Sequence, residues 1–350
     1  MVVGKILDEK LPMSLSSQSV VTILKAAAEP TRLRILMLLA ASELNVKDLT
    51  RILGQSQPRI SRHLKLLSEA GLIERTREGS WAYFQLVVAG PTGALARRVL
   101  DAVDLTDTQL QRDLNRAEAV KREREAVAQS YFEDHAAHWD EIRSLHVTES
   151  AVETAMRNAL GPGPFRNLVD AGTGTGRVLQ LFADRFERGT GIDINHTMLA
   201  YARAKLSAAG VHHARVRHGD LYDLGLEAGS ADAVIVHQVL HFLSDPAQAV
   251  REAARILEPG GRMLIVDFAP HDLEFLREVH AHERLGFAAA QVAQWMTESG
   301  LRVISVDEVA RSSSEPEAKL NVMLWTAERP GVSARSRKTS IASRAEVVGS

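Results

Sequence analysis

Two kinds of hydrophobic spacing divide the chain. From Ser16 apolar residues recur at helical intervals: Val20, Ile23, Leu24 and Ala27 make one stripe, and Leu33, Leu36, Met37 and Ala40 the next, with Pro30 set to open that helix. Val46 to Leu53 reads as a third helix stopped by Gly54, and Ser56 to Leu67 as a fourth, with Ser56 as N-cap and Pro58 in its first turn. Leu72 to Leu86 gives two strand-like runs around Glu78-Gly-Ser80. Much later, Leu168-Val-Asp-Ala-Gly-Thr-Gly-Thr-Gly-Arg177 joins an apolar run ending in an acid to three glycines at alternate positions. Val178 to Ala183 then resumes helical spacing, so this stretch predicts strand, tight turn, helix.

Between these regions, Pro91 to Gly93 marks a boundary, followed by the helical stripe Leu95, Val99, Val103. Thr106-Asp-Thr-Gln109 matches a capping box and restarts a helix carrying Leu110, Leu114 and Ala117, with Lys121 to Glu125 as its solvated continuation. Past Phe268, His271 to Gly286 and Ala289 to Gly300 read as helices, and Leu301 to Val306 and Leu320 to Thr326 as strands. Pro330 to Ser350 is rich in Ser and Arg with almost no apolar pattern and is expected to be disordered. The domains expected are therefore 1–92, a helical linker 93–130, a larger domain 131–329 and the tail 330–350.

Composition changes this picture in three ways. At 350 residues, with 45% hydrophobic and 25% charged content, the chain has material for two or three ordinary globular domains. Its longest N-terminal apolar run, Ile35 to Ala41, is too short to span a bilayer and no signal-peptide pattern opens the chain, so a cytoplasmic location is expected. The absence of cysteine removes disulfides, thiolate metal sites and sulfur nucleophiles. Residues 1–90 carry 12 Lys+Arg against 8 Asp+Glu although the whole chain is at −2, and a basic head on an acidic body suggests that the head meets an anion.

The glycine turn is the centre of the larger domain. Glycines let a backbone approach a bulky ligand, and helix N-terminal N–H groups point at the same spot. A dinucleotide site would need G-x-G-x-x-G, but here the order is Gly172-x-Gly174-x-Gly176 behind Asp170. That acid would repel a pyrophosphate and suits a ligand with a cationic amino-acid end. Asp193 ends the next apolar strand, Gly189 to Ile194, where an acid can accept both ribose hydroxyls. Asp220 closes Ala214 to Asp220 and is placed to accept from an adenine amino group. On these residues the region from 131 to 329 resembles a class I S-adenosylmethionine-dependent methyltransferase, with a Rossmann-like seven-stranded sheet. The resemblance implies cofactor contacts from Asp170, Gly172, Thr173, Gly174, Gly176, Asp193, Ile194, Asp220 and Leu221, with S-adenosylmethionine or S-adenosylhomocysteine as cofactor and no metal. It also implies Asp232 to His237 as the fourth strand and Leu257 to Arg262 as the turn into a fifth, Met263 to Phe268.

In the fourth helix Ile60, Leu64 and Leu67 face inward, leaving Ser56, Gln57, Arg59, Ser61, Arg62 and Lys65 outside, residue types that contact bases and phosphates. The hairpin after it would carry Arg75 and Arg77 to flanking phosphates. Glu29 to Leu36, Gln57 to Leu67 and Glu78 to Phe84 resemble the winged helix-turn-helix of the ArsR/SmtB transcription factors. That resemblance implies double-stranded DNA with a palindromic operator as partner, and a homodimer. It also exposes a departure. Where metal-sensing members carry a cysteine pair in the third helix, this chain has Asn45 and Lys47, and there is no His between Gly93 and Glu118 for the family's other metal site, so metal sensing by those routes is not expected.

The lead-in Tyr131 to Trp139 leaves two readings open: Tyr131, Phe132 or Trp139 lies over the sulfonium, or all three are core aromatics. His135, His138, His212, His213 and His218 read as surface residues, and His280, His282 and Glu283 are expected at the surface rather than around an acceptor. The Asn/Asp-Pro-Pro-Tyr/Phe motif of amino-methylating nucleic-acid enzymes is replaced by His237-Gln-Val-Leu-His-Phe242, which favours a small molecule or an amino-acid side chain as acceptor, with His237 and His241 as the candidate general bases. The function expected is a DNA-binding regulator, a repressor, whose methyltransferase domain binds the nucleoside as effector. The alternative is an active methyltransferase whose DNA-binding head controls its own operon.

Overall fold

The computed structural model describes residues 14–78, 81–139, 149–309 and 320–331. They belong to two compact units, residues 1–126 and 127–350. The tail expected at 330–350 lies outside the described residues beyond Gly331.

The first unit packs α1 (Ser17–Ala27), α2 (Pro30–Ala41), α3 (Val46–Leu53), α4 (Gln57–Glu69) and α5 (Gly90–Asp101) against a small sheet. That sheet has the order β1-β3-β2, built from β1 (Leu44–Asn45), β2 (Ile73–Glu78) and β3 (Trp81–Leu86), all antiparallel. The α2 stripe expected from spacing is rotated: Ile35, Leu36, Leu38 and Leu39 are buried while Ala40 is exposed. The run Ile35 to Leu39 is continuously apolar, so periodicity could not choose a face, and tertiary packing on several sides did. On α1, Leu24 is likewise 43% exposed while Ile23 and Ala27 are buried.

Helix α6 (Thr108–His135) begins in the first unit and ends in the second, the division falling at 126/127. Its start is capped by Asp107, whose Oδ1 accepts from Leu110 N at 2.8 Å, and not by Thr106. Thr106 instead turns both its N–H and its hydroxyl onto Asp104 Oδ1. Arg124, expected in a solvated stretch, donates to the buried Asp48.

The second unit is a seven-stranded sheet in the order β6-β5-β4-β7-β8-β10-β9. Its strands are β4 (Phe165–Ala171), β5 (Phe186–Asp193), β6 (Ala214–His218), β7 (Ala231–His237), β8 (Leu257–Phe268), β9 (Arg302–Glu308) and β10 (Val322–Glu328). Strands β4 to β8 pair in parallel, while β10 is antiparallel to both β8 and β9. Helices α7 (Glu149–Leu160), α8 (Arg177–Leu181), α9 (His196–Ala208), α10 (Pro246–Ile256), α11 (Phe275–Val279) and α12 (Ala289–Glu298) accompany the sheet, and its strands bury apolar residues in two separate clusters. Continuous runs such as Val234–Ile235–Val236, each at most 2% exposed, mark strands covered on both sides.

The strand order reverses between β5-β4 and β7-β8, so the crevice outside the carboxyl ends of β4 and β7 is the topological switch point, where open α/β sheets place their ligands. One expected element is absent. Between 271 and 286 only the five residues of α11 are helical, because the chain turns back onto the end of β8: His271 N bonds to Leu285 O, and Phe287 N to Phe268 O. This return also overturns the surface placement expected for His280 and His282, which it brings to the switch-point crevice.

Candidate functional site

The turn after β4 is held from within. Asp170 is fully buried and its Oδ2 accepts from Thr173 Oγ1 at 2.6 Å, while Gly172 N and Thr173 N both donate to Ile192 O of β5. Gly172 has φ +81°, and a Cβ there would lie 2.8 Å from Val239 Cγ2, so the turn admits only glycine. Gly174, at φ +51°, has only the edge of Trp139 nearby, 3.7 Å from where a Cβ would stand. That is a cradle open to a ligand.

Asp193 follows on the neighbouring strand. Its Oδ2 accepts from Gly174 N at 2.8 Å and its Oδ1 from Asn195 N at 2.9 Å. Burial pushes this carboxyl above the usual range, against the pull of those two N–H groups. A carboxylate offers about four acceptor positions, so each oxygen retains room for a hydroxyl. Asn195 caps α9 through Met198 N and donates to the Gln129 side chain at 3.1 Å, fixing the loop. Register pairs Asp193 with His218, and Gly219 N donates to Asp193 O, which sets Asp220 beside it beyond the end of β6. Asp220 is exposed, Leu221 is buried and Ile194 is 38% exposed, an apolar side chain left in solvent next to the acid. Two acids at adjacent strand ends with an exposed apolar residue between them fit the ribose and adenine of a nucleoside. The glycine turn fits the chain that extends from it.

A second set of side chains closes the crevice on the β7–β8 side. A cavity of about 420 Å³, partly open, is lined by Tyr131, Trp139, Gln238, His241, Phe242, Phe268, Leu276, His280, His282 and Leu320. It shares walls with the glycine turn, because Trp139 reaches Gly174 and Val239, next to Gln238, reaches Gly172. Tyr131 and Trp139 line this cavity, while Phe132 packs edge-on against Phe242 at 4.8 Å between ring centres. Tyr131 Oη is 2.7 Å from His280 Nδ1. His135, expected at the surface, is half-buried with its ring stacked 4.2 Å from that of Tyr131. His212, His213 and His218 are exposed.

His241 is almost fully buried and fixed on every side. Its Nδ1 lies 2.7 Å from Oδ1 of the fully buried Asp267, its N–H reaches Asp267 Oδ2 at 3.3 Å, and its carbonyl accepts from Glu283 N and Arg284 N. A carboxylate only accepts, so Nδ1 carries a proton, and in the neutral ring Nε2 keeps its lone pair. His237 ends β7 and is not part of the cavity wall; the next residue, Gln238, is. Gln238 sits at φ +50° with only 7% exposure, held by its N–H on Val266 O. A non-glycine residue in that conformation beside a cavity stores strain of about 1–3 kcal/mol. Asp267 and Gln238 escaped the sequence reading. Asp267 had a usable signal, since it closes the apolar run Met263 to Phe268 as Asp170 and Asp193 close theirs.

In the first unit the sequence-defined face is intact. Ser56, Gln57, Arg59, Ser61, Arg62 and Lys65 are all exposed on or just before α4, over Ile60, Leu64 and Leu67, which are buried. Ser56 occupies the N-cap but makes no side-chain cap bond; its carbonyl accepts from Arg59 N and Ile60 N. Arg75 and Arg77 are exposed on β2. Asn45, in the position of a metal-ligating cysteine, is buried and caps α3, while Lys47 is exposed. Among the described residues no group of three or more His, Asp or Glu could hold a metal ion, and no described helix is long and apolar enough to cross a membrane.

A winged helix-turn-helix with its basic helix outward and a seven-stranded sheet with a nucleoside-type crevice define a DNA-binding unit joined to a class I methyltransferase fold. The model of the bacterial regulatory protein arsR family matches residues 29–75, and that of the methyltransferase domain matches residues 169–265. The arsenical resistance operon repressor of Escherichia coli K12 is 43% identical over 82 residues, 23% of this chain and 68% of that one. A Mycolicibacterium smegmatis protein named as a probable S-adenosylmethionine-dependent methyltransferase is 32% identical over 143 residues, 39% of this chain and 52% of that one. A 37.1 kDa protein in a Streptomyces fradiae transposon is 29% identical over 214 residues, so the chain spans 61% of its length. A solved complex of the Haloferax volcanii Trm112 methyltransferase activator with a methyltransferase aligns over 57% of this chain and 97% of its own at 22% identity, with a TM-score of 0.48. The chain belongs to the ArsR family of bacterial regulatory proteins and carries a methyltransferase domain fused behind its DNA-binding domain.

Proposed function

We propose that this protein is a transcriptional repressor of ArsR type whose second unit binds S-adenosylmethionine or S-adenosylhomocysteine and methylates a small molecule. The observation that carries the enzymatic part is the Asp267–His241 pair set in an aromatic cavity that shares Trp139 and Val239 with the glycine turn. A unit that only sensed the nucleoside would need the turn and the acids but no oriented proton acceptor beside them. Asp193 takes the ribose hydroxyls, Asp220 the adenine amino group, with Ile194 and Leu221 against the base, while Gly172 to Gly176 carry the amino-acid end. When bound, the cofactor supplies an electrophilic methyl group. The chain's own task is to align the acceptor and take up its proton, and alignment is the larger part of what a displacement requires. Exposed Gln57, Arg59, Arg62 and Lys65 read the operator in a major groove, with Ser56 and Ser61 beside them and Arg75 and Arg77 on the flanking phosphates, in a homodimer on a palindromic site.

Calorimetry of the purified full-length chain with each nucleoside tests the cofactor assignment, and labelled methyl transfer to the small-molecule fraction of a cell extract tests the enzyme. Binding that is lost in Asp193→Ala, together with label in a small molecule, is expected. Absence of heat with both nucleosides would overturn the cofactor reading, and binding without any labelled product would leave the nucleoside as an effector only.

A further inference from the structure

The cavity at the ends of β7 and β8 has more chemistry than a generic hydrophobic slot. Its walls are the faces and edges of Tyr131, Trp139, Phe242 and Phe268, which suit a flat ring. Of its polar lining, Tyr131 Oη and His280 Nδ1 meet each other at 2.7 Å and His282 stacks on Phe268, while two further groups offer acceptors. His241 has committed Nδ1–H to Asp267, so its Nε2 is an acceptor. Gln238 is more than nine-tenths buried, and its Oε1 has no hydrogen-bond donor among the described residues. A buried amide oxygen without a donor costs about 1–3 kcal/mol, so the strained backbone at Gln238 holds an acceptor that only a ligand can satisfy.

Two acceptors call for two donors. A charged ligand would lose its hydration among ring faces, which is costly. Of neutral hydroxyls, a phenol (about pKa 10) lies within reach of an imidazole (about 6.5), whereas an aliphatic alcohol ionises far less readily. We propose that this cavity binds an uncharged aromatic ring bearing a hydroxyl and an adjacent second donor, as in a catechol, the hydroxyl meeting His241 Nε2 and the second donor meeting Gln238 Oε1. The proposal rests on the methyltransferase reading and names its acceptor class. In the reaction the hydroxyl proton passes to His241 Nε2 and the hydroxyl oxygen bonds to the methyl carbon. The carbon–sulfur bond breaks with its electron pair left on sulfur, and water then removes the proton from His241.

The probe is 4-nitrocatechol, whose visible band reports ionisation without any cofactor turnover. Added to the full-length protein at a pH where the free compound is mostly neutral, it should show a saturable band of the ionised form. 4-Nitrophenol, lacking the second donor, should bind about tenfold more weakly, the value of roughly one hydrogen bond. Gln238→Asn keeps an amide that tolerates positive φ but draws its oxygen back, and should bring the two probes to equal affinity. His241→Asn and Asp267→Asn should lose the ionised band while still binding the ring. No saturable binding of 4-nitrocatechol overturns the proposal, as does equal affinity of the two probes for the unaltered protein or an ionised band that survives both His241→Asn and Asp267→Asn. If labelled methyl transfer reaches some other acceptor while 4-nitrocatechol fails to bind, the enzyme reading stands and only this assignment falls. If neither nucleoside binds, the reading beneath it falls on its own, whatever the probe does.

Discussion

Asn45 stands where a metal-sensing relative would have a thiolate, and its side chain is committed elsewhere. Its Oδ1 accepts from Asp48 N at 2.9 Å, and Asp48 Oδ2 accepts from Asn45 N at 3.2 Å, a reciprocal capping box. A helix start buried against β1 has no water to satisfy those N–H groups, so the cap sustains the helix that precedes α4. Asn45→Ala should lower stability by about 1 kcal/mol, read from the urea midpoint at constant slope, and an unchanged midpoint would show that the cap contributes nothing. His271 gives a second test at this scale. Burial, reinforced by the neighbouring His241 and Arg277, lowers it from the usual 6.5 to about 4, and its Nε2 has no partner among the described residues. Above pH 6.5 the ring is neutral folded or unfolded and adds no slope. As the pH falls from 6.5 towards 4 the unfolded chain binds a proton that the folded chain refuses, so stability drops across that window. Unfolding experiments at several pH values should therefore show the natural protein losing stability relative to His271→Asn between pH 6.5 and 4, and parallel curves would remove the burial argument.

Elements built on strong periodicity or on glycine punctuation were legible before any coordinates. Gly54 stops α3 at φ +63°, the apolar positions Ile60, Leu64 and Leu67 of α4 are buried as its spacing predicts, with His63 buried beside them, and Asp170 and Asp193 fall at strand ends as read. What the chain concealed has physical causes. The α2 run is apolar all round, so its exposed side depends on neighbours it cannot specify. Thr106 and Asp107 are both good caps, and Asp104, which binds Thr106, decided between them. The segment 271–286 has helical spacing, but backbone bonds to Phe268 and His241 outcompete the helix and bring His280 and His282 to the cavity. His241 was readable as a candidate, whereas its partner Asp267 arrives from a strand 26 residues later, a pairing that no local pattern carries. For α4 the exposed cations make a direct prediction. Arg62→Ala should weaken operator binding at every sequence tested and reduce the slope of log affinity against log salt by about 1 if Arg62 meets a phosphate. If instead it reads a base edge, the loss should be about 1–3 kcal/mol and confined to one operator position. An operator bound as tightly as by the natural protein would take α4 out of the groove.

For the whole molecule, the question is whether two units in one chain exchange information. The division at 126/127 falls inside α6. Before it, Asp113 is fully buried and grips Arg34 of α2 with both oxygens, at 2.5 and 2.7 Å. After it, Gln129 meets Asn195, two residues from Asp193, and Tyr131 meets His280 in the cavity wall. One helix thus contributes residues to both units. A ligand shifts operator affinity only by the difference between its own affinities for the two forms, and that coupling is reciprocal. With a coupling of about 1–3 kcal/mol, a gel-shift titration should change by roughly 5–150-fold when saturating S-adenosylmethionine or S-adenosylhomocysteine is added, and calorimetry in the presence of operator should show the same factor on the nucleoside. Asp193→Ala should abolish the shift and leave the nucleoside-free operator affinity intact. An operator affinity indifferent to both nucleosides would mean that the two units share a chain but no free energy, and that release from DNA would need another signal.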